Sequence, residues 1–383
     1  MKKYFSEEHY MLRDMVREFT ANEIRPIAQE IDSKSIFPTE SVRKMAELGL
    51  MGIPWDESYG GIGMDTLALC IAIEEIGAAC PSTAATMMAH TSLGTAPIAI
   101  FGNEGQKSKY LPDLCSGSII GSFGLTEPNA GSDAGNTQTQ AIKKGDRYVI
   151  NGQKVFCTNA GHAGIIIFTA KINDDGVDKG IGAFIVEAGT DGLEIGEPEN
   201  KMGWKGSDTR SVFFNDLVLG NESLLGSPAG GFKQFLQTLT GGRITIGALS
   251  IGTARGGYEL ALKYSKEREA FGREINKFQG VSFKLSDMAT QIQAAKHLVY
   301  HAASKKDSGE SVIKEAAMAK LFSSEMAMRV TTEAIQIHGG YGYIKEYDVE
   351  RFFRDAKILE IGEGTSEVQR IIISKEILKE VSI

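Results

Sequence analysis

At 383 residues the chain is longer than one hydrophobic core usually supports, so two or three domains or layers are expected, with ample apolar content to bury. A net charge of −8, with lysines and arginines scattered among acidic residues, argues against nucleic acid as a partner, and no uninterrupted apolar run approaches a membrane span. Four cysteines, Cys70, Cys80, Cys115 and Cys157, form no C-x-x-C, which argues against a disulfide framework or a zinc site; with no signal-like apolar segment after Met1, the expectation is a reducing, cytoplasmic setting.

From Ser6, the residues Leu12, Met15, Val16 and Phe19 recur at helical spacing until Pro26 interrupts them. Phe37-Pro38-Thr39-Glu40 opens a second helix, which Gly49 closes. After a loop at Tyr59–Met64, the stretches Thr66–Ala79 and Ser82–Phe101 read as buried helices, and the chain stays helical to about Leu114. The texture changes at Ile119, where β-branched residues and glycines replace the helical period. Tyr148-Val149-Ile150 and Lys154-Val155-Phe156 flank Asn151-Gly152, which predicts a hairpin, and Ile165–Ala170, Ile181–Val186 and Ser211–Leu217 predict further strands. From Gly231 the helical period returns, through Ile244–Tyr264, Gln279–Lys305, Val312–His338 and Thr365–Val381. The expected fold is therefore mostly α with a central β-domain: an N-terminal helical domain over 1–120, a small antiparallel β-barrel or sandwich over 121–228 and a C-terminal helix bundle over 229–383.

Three stretches carry chemistry. In Ile361-Gly362-Glu363-Gly364-Thr365-Ser366-Glu367, a carboxylate between glycines precedes a helix that Thr365 can N-cap. Two readings of Glu363 stand at this point: a general base held on a fixed turn, or an acidic first-turn residue that complements the helix dipole. Leu125-Thr126-Glu127-Pro128-Asn129-Ala130-Gly131-Ser132-Asp133 can offer N–H and hydroxyl groups to a phosphate or ring carbonyl, or can be an ordinary polar connection. Phe156-Cys157-Thr158 pairs an aromatic with a donor, which suits a flat heterocycle but equally suits core packing. His338, His90, Met87, Met88 and Cys157 read as structural.

Taken in order with Tyr59-Gly60-Gly61-Ile62-Gly63, Arg268–Arg273, Phe278-Gln279 and Gln336-Ile337-His338-Gly339-Gly340-Tyr341-Gly342, these stretches resemble the FAD-dependent acyl-CoA dehydrogenases, from about Phe5 to the C-terminus, with a texture nearest the short-chain, butyryl-CoA type of bacterial enzyme. The resemblance implies the following roles. Phe123, Leu125, Thr126 and Ser132 touch the flavin, Ser132 also facing the thioester; Phe156 and Thr158 cover the isoalloxazine, with Phe where many members have Trp. Arg268, Phe271, Gln279, Gln336, Ile337, Gly339 and Gly340 hold FAD pyrophosphate and adenosine, largely a neighbouring subunit's, and Thr365 and Glu367 add further FAD contacts. Glu363 matches the catalytic base and Arg243 the arginine of the substrate-side helix. The implied partners are an acyl-CoA, an electron-transfer flavoprotein and further copies of the chain, commonly in a homotetramer.

Two departures matter. Thr240 stands where the family usually has an Asp contacting CoA, and Gly362 stands where it usually has Tyr, which implies a wider acyl cavity beside Gly364 and short-chain, branched or alicyclic substrates. The rival readings are an oxygen-using oxidase, an enoyl-CoA reductase running in reverse, and a catalytically silent flavin- or acyl-CoA-binding protein. No nicotinamide-binding Gly-x-Gly-x-x-Gly follows a predicted strand.

Overall fold

The computed structural model describes residues 4–380. The N-terminal helix α1 (Glu7–Phe19) starts at Ser6, whose hydroxyl accepts the His9 N–H. The chain does not stop at Pro26; it widens into a π turn and tightens into a 3₁₀ turn before α2 (Ala28–Lys34). Next come α3 (Thr39–Glu47), closed by Gly49 at φ 73°, and α4 (Thr66–Gly77), buried on every face, as a helix without amphipathic patterning must be. α5 (Pro81–Ala89), a π segment at His90–Thr95, α6 (Ala96–Phe101) and α7 (Glu104–Ser116) complete this region.

The middle of the chain is one sheet of eight strands: β1 (Ile120–Gly124), β2 (Gln140–Lys144), β3 (Arg147–Thr158), β4 (Ala163–Asp174), β5 (Val177–Glu187), β6 (Leu193–Pro198), β7 (Thr209–Gly220) and β8 (Leu224–Leu225). Its path runs β6-β7-β3-β2-β4-β5-β8, with β1 added beside β4. Most pairings are antiparallel as expected, but β1 and β2 both run parallel to β4, and the sheet is not a closed barrel.

The expected hairpin at Asn151-Gly152 is not there. β3 runs straight through it, and the reversal comes earlier, at Gly145-Asp146, where Lys144 pairs with Arg147. Gly152 serves close approach: an added Cβ would stand 2.7 Å from the Thr139 backbone, and the register against β7 slips at this point. Asn151 is held by Asp216 across the sheet, not by a turn.

The C-terminal bundle is built on α8 (Gly231–Glu267), one 37-residue helix that spans the helical period expected from Gly231 through Tyr264. Its ridges pack on α4, on α9 (Gln279–Asp307) and on α10 (Ile313–His338). A two-stranded hairpin, β9 (Glu269–Ala270) and β10 (Arg273–Glu274), turns through Phe271-Gly272, both at positive φ. α11 (Val349–Lys357), not expected from the sequence, leads to the Glu363 turn and α12 (Ser366–Glu380); Val381 lies outside the described residues. All four cysteines are free and buried, each in its own surroundings.

Candidate active site

Glu363 sits in the left-handed region at φ 54°, followed by Gly364 at φ 95°. A non-glycine residue there costs roughly 1–2 kcal/mol and persists only where neighbours hold it. The neighbours are explicit. Ile361 and Gly362 donate to the Ile358 carbonyl at 3.0 and 2.8 Å. Beyond the turn, Gln369 Nε2 donates to Gly364 O at 2.8 Å, and Thr365 Oγ1 accepts the Val368 N–H at 3.3 Å as the predicted N-cap.

The turn lays the Glu363 side chain across α8 at Gly242, where an added Cβ would collide with Oε2 and stand 3.2 Å from Leu93 Cδ2. The glycine is the seat of the carboxylate. Although Glu363 as a residue is only partly buried, its Oε2 is sealed from solvent and has no hydrogen-bond partner among the described residues. Burial pushes its pKa up to about 7, against the downward pull of Lys320 and Arg243. Desolvation therefore outweighs the two cations.

Two buried cations face this corner. Arg243 Nη1 reaches Thr240 Oγ1 at 3.5 Å while its Nε finds no partner; burial lowers its pKa and Glu363 opposes that. Thr240 donates to Leu236 O at 3.0 Å, and Ser92 and Thr245 close the floor beside Gly242. Lys320, on α10, is 0 % exposed and donates to Gly364 O at 2.8 Å. Lys320, Gln369 and Gly242 were not singled out from sequence. A signal existed for the lysine: it is the single charge in the small, apolar run Ala316–Ser324.

Phe123, Leu125, Thr126, Phe156 and Thr158 converge at one end of the sheet. Ser122 Oγ donates to Thr158 O at 2.7 Å, and Val155 N donates to Thr126 O at 2.8 Å, so β1, its following loop and the end of β3 are stitched together. Phe156 occupies a bulge at φ 59° that turns its ring outward, 64 % exposed, while Cys157 is buried beneath with its thiol pushed up to about 12. Thr126 and Thr158 are half-buried there, and Ser132 is exposed on its loop. An outward aromatic face beside hydroxyl side chains fits a flavin ring system. Phe123 stacks on Phe235 of α8 at 4.1 Å between centroids, two turns ahead of Gly242, which ties this edge to the carboxylate.

The remaining predicted residues lie elsewhere. Arg268, Ile337, Gly339 and Gly340 line a separate 440 Å³ pocket with Tyr264, Tyr341 and Ile344 at the far end of α8. The two glycines have no atoms within 4 Å of an added Cβ, which leaves backbone open to a ligand, and Arg268 lies over the Tyr341 ring. Gln336 and Gln279 are exposed nearby in sequence but do not line the pocket, and Phe271 stands 96 % exposed on its hairpin. Thr365 closes the turn and the exposed Glu367 lies in the first turn of α12. His338 Nδ1 donates to Ala334 O and its ring stacks on Tyr264; buried His90 links Gly121 N and Leu114 O and is held neutral by burial, its pKa down to about 4.

The chain is a three-part helix–sheet–helix protein with a carboxylate of raised pKa on one turn and an outward aromatic at the end of its sheet, features that suit a flavin-type oxidoreductase. The chain belongs to the acyl-CoA dehydrogenase family, which is FAD-dependent: it matches the family's N-terminal domain over residues 6–118, its middle domain over 122–217 and its C-terminal domain over 229–378. It is 52% identical over 376 residues to a probable acyl-CoA dehydrogenase of Bacillus subtilis, covering 98% of this chain and 99% of that protein. It is 47% identical over 374 residues to a short-chain specific acyl-CoA dehydrogenase of Clostridium acetobutylicum, with the same coverage. The solved butyryl-CoA dehydrogenase of Megasphaera elsdenii superposes with a TM-score of 0.95 at 43% identity, over 98% of this chain and 99% of that one.

Proposed function

We propose that this protein introduces a Cα–Cβ double bond into short-chain acyl-CoA thioesters, with Glu363 as the base that removes the α-proton. The observation that carries this is the seating of Glu363 on Gly242, with a buried oxygen and a pKa near 7. A carboxylate of ordinary acidity in water is too weak for a thioester α-proton, whereas a desolvated one poised near neutral pH is matched to the task. Phe123, Leu125, Thr126, Ser132, Phe156, Thr158, Thr365 and Glu367 would hold the ring end of FAD, which supplies the hydride acceptor when bound. Arg243 and Thr240 face the substrate side.

Gly242 and Arg268 are 26 positions apart along one continuous helix and its C-cap, roughly 39 Å at 1.5 Å per residue, so the far pocket lies at the other end of α8 from the carboxylate. That spacing supports the reading that Arg268, Ile337, Gly339 and Gly340, with Phe271, Gln279 and Gln336 around them, hold the adenosine half of a neighbouring subunit's FAD, which requires at least a dimer and agrees with a homotetramer. Electrons then pass to an electron-transfer flavoprotein, as in the family the chain belongs to. Free, buried thiols agree with a cytoplasmic setting.

The substrates include branched or alicyclic short acyl groups. A Cβ at Gly362 would meet only Ile358, its backbone oxygen at 3.5 Å and Cγ1 at 3.9 Å, so the first atom of a side chain fits there without a clash. Each methylene buried there is worth about 0.8 kcal/mol. Anaerobic bleaching of the flavin across a panel of acyl-CoAs tests the activity, and Gly362→Tyr tests the cavity: it should lower kcat/KM for cyclic or branched acyl-CoAs relative to butyryl-CoA by about tenfold. An unchanged ratio would show that the glycine does not set specificity.

A further inference from the structure

Lys320 is a full-length ammonium side chain with no exposure, in a position where lysine is rarely found without a paired carboxylate. It forms no salt bridge with a described residue; its one protein acceptor is the carbonyl of Gly364, at 2.8 Å. That carbonyl belongs to the second of two consecutive left-handed residues, the first of which is Glu363. Gln369 binds the same carbonyl, so a single oxygen of the turn is gripped from α10 and from α12 together. A surface lysine would have done nothing here, and an apolar residue would have left the turn with one anchor.

The charges that act on the carboxylate are Lys320 from α10 and Arg243 from α8, while Glu360, from the turn ahead of it, and Glu367, from the first turn of α12, act on Lys320. Leu93, Ser92 and Thr245 on the remaining side carry no charge. Arg243 is spoken for in part by Thr240. We propose that Lys320 is a positioning residue for Glu363: its buried ammonium, anchored on Gly364, holds the left-handed turn that presents the carboxylate and is its standing counter-charge. The ammonium is itself under strain, burial lowering its pKa to about 8 against the pull of Glu363, so carboxylate and ammonium titrate as a coupled pair in the working pH range. This inference rests on Glu363 as the base for its kinetic consequence, but not for its electrostatic one.

The test uses the FAD-loaded oligomer of Lys320→Met, Lys320→Gln and Lys320→Arg. With a dye acceptor, the acid limb of kcat/KM should move about one pH unit upward in Lys320→Met and Lys320→Gln, lowering kcat/KM about tenfold on the acid side, and should return to the wild-type position in Lys320→Arg. An infrared titration of the Glu363 carboxyl band, identified by its loss in Glu363→Gln, reads the same shift without turnover. A Glu363 band that titrates at the wild-type pH in Lys320→Gln would overturn the proposal, as would an acid limb that does not move in Lys320→Met. Full turnover by Glu363→Gln would remove the base reading alone and leave the infrared result standing on its own.

Discussion

Two lysines, Lys154 in the sheet and Lys320 in the helix bundle, are both 0 % exposed, and the structure treats them in opposite ways. Lys154 Nζ meets Glu127 Oε1 at 2.6 Å, Thr169 Oγ1 at 3.1 Å and Leu125 O at 3.3 Å, and Glu127 in turn accepts from Gln138 N and from Thr139 N and Oγ1. Burial alone would raise Glu127, but the ammonium and these donors hold it below the usual carboxylate range, while burial lowers Lys154 against the pull of Glu127. Lys320 has one carbonyl, and the carboxylate it faces, Glu363, is pushed the other way. Where a buried ion pair is closed by hydrogen bonds, its charge fixes a loop; where it is left open, its charge is available to tune a reacting group.

Removing one charged group on each side sharpens the contrast. Glu363→Gln should retain FAD and lower turnover by about 10²–10⁴-fold, the usual loss when a positioned base is deleted, as read by anaerobic flavin bleaching. A smaller effect is expected on the other side, and on a different quantity: Lys154→Met leaves Glu127 buried and uncompensated and should cost about 3–5 kcal/mol in urea unfolding, whereas Lys154→Met with Glu127→Leu should recover most of that loss. If the single variant is as stable as wild type, the Lys154 network is not the brace of the Leu125–Asp133 loop. The smallest effect concerns pH. The folded-state pKa of Glu363 lies above its ordinary 4.5, so its contribution to stability is full below about 4.5 and is lost as pH rises through about 7. Glu363→Gln should therefore melt at the wild-type temperature near pH 4.5 and above it near pH 8, in calorimetric scans.

Much of the fold was legible because burial writes a period into the sequence: Leu12, Val16 and Phe19 mark α1, and the α9 and α10 stretches fell within a few residues of their ends. The misreadings have local causes. Asn151-Gly152 carries turn chemistry, but Gly152 is there because Thr139 passes too close for a side chain, and distance across a sheet leaves no trace in adjacent residues. β2 and β6 are short, and their exposed, charged faces hide the alternation of a strand. At the site, the glycine-flanked Glu363 was visible as a motif, whereas its seat on Gly242 and its neighbour Lys320 come from elements 121 and 43 residues away in the chain, and only packing brings them together. Phe156 could be named as an aromatic near a hydroxyl; its outward, left-handed conformation could not.

The four enclosed cysteines have a practical consequence. Burial pushes the Cys115 thiol up to about 11 and Cys157 to about 12, and Cys70 and Cys80 upward as well, so no thiolate is offered to an electrophile while the fold is closed. Alkylation by iodoacetamide then becomes a clock for opening. Cys70 and Cys80 lie in and beside α4, Cys115 on α7 and Cys157 in β3, so mass-resolved labelling of the untouched wild-type chain would report separately when the N-terminal helices and the sheet come apart.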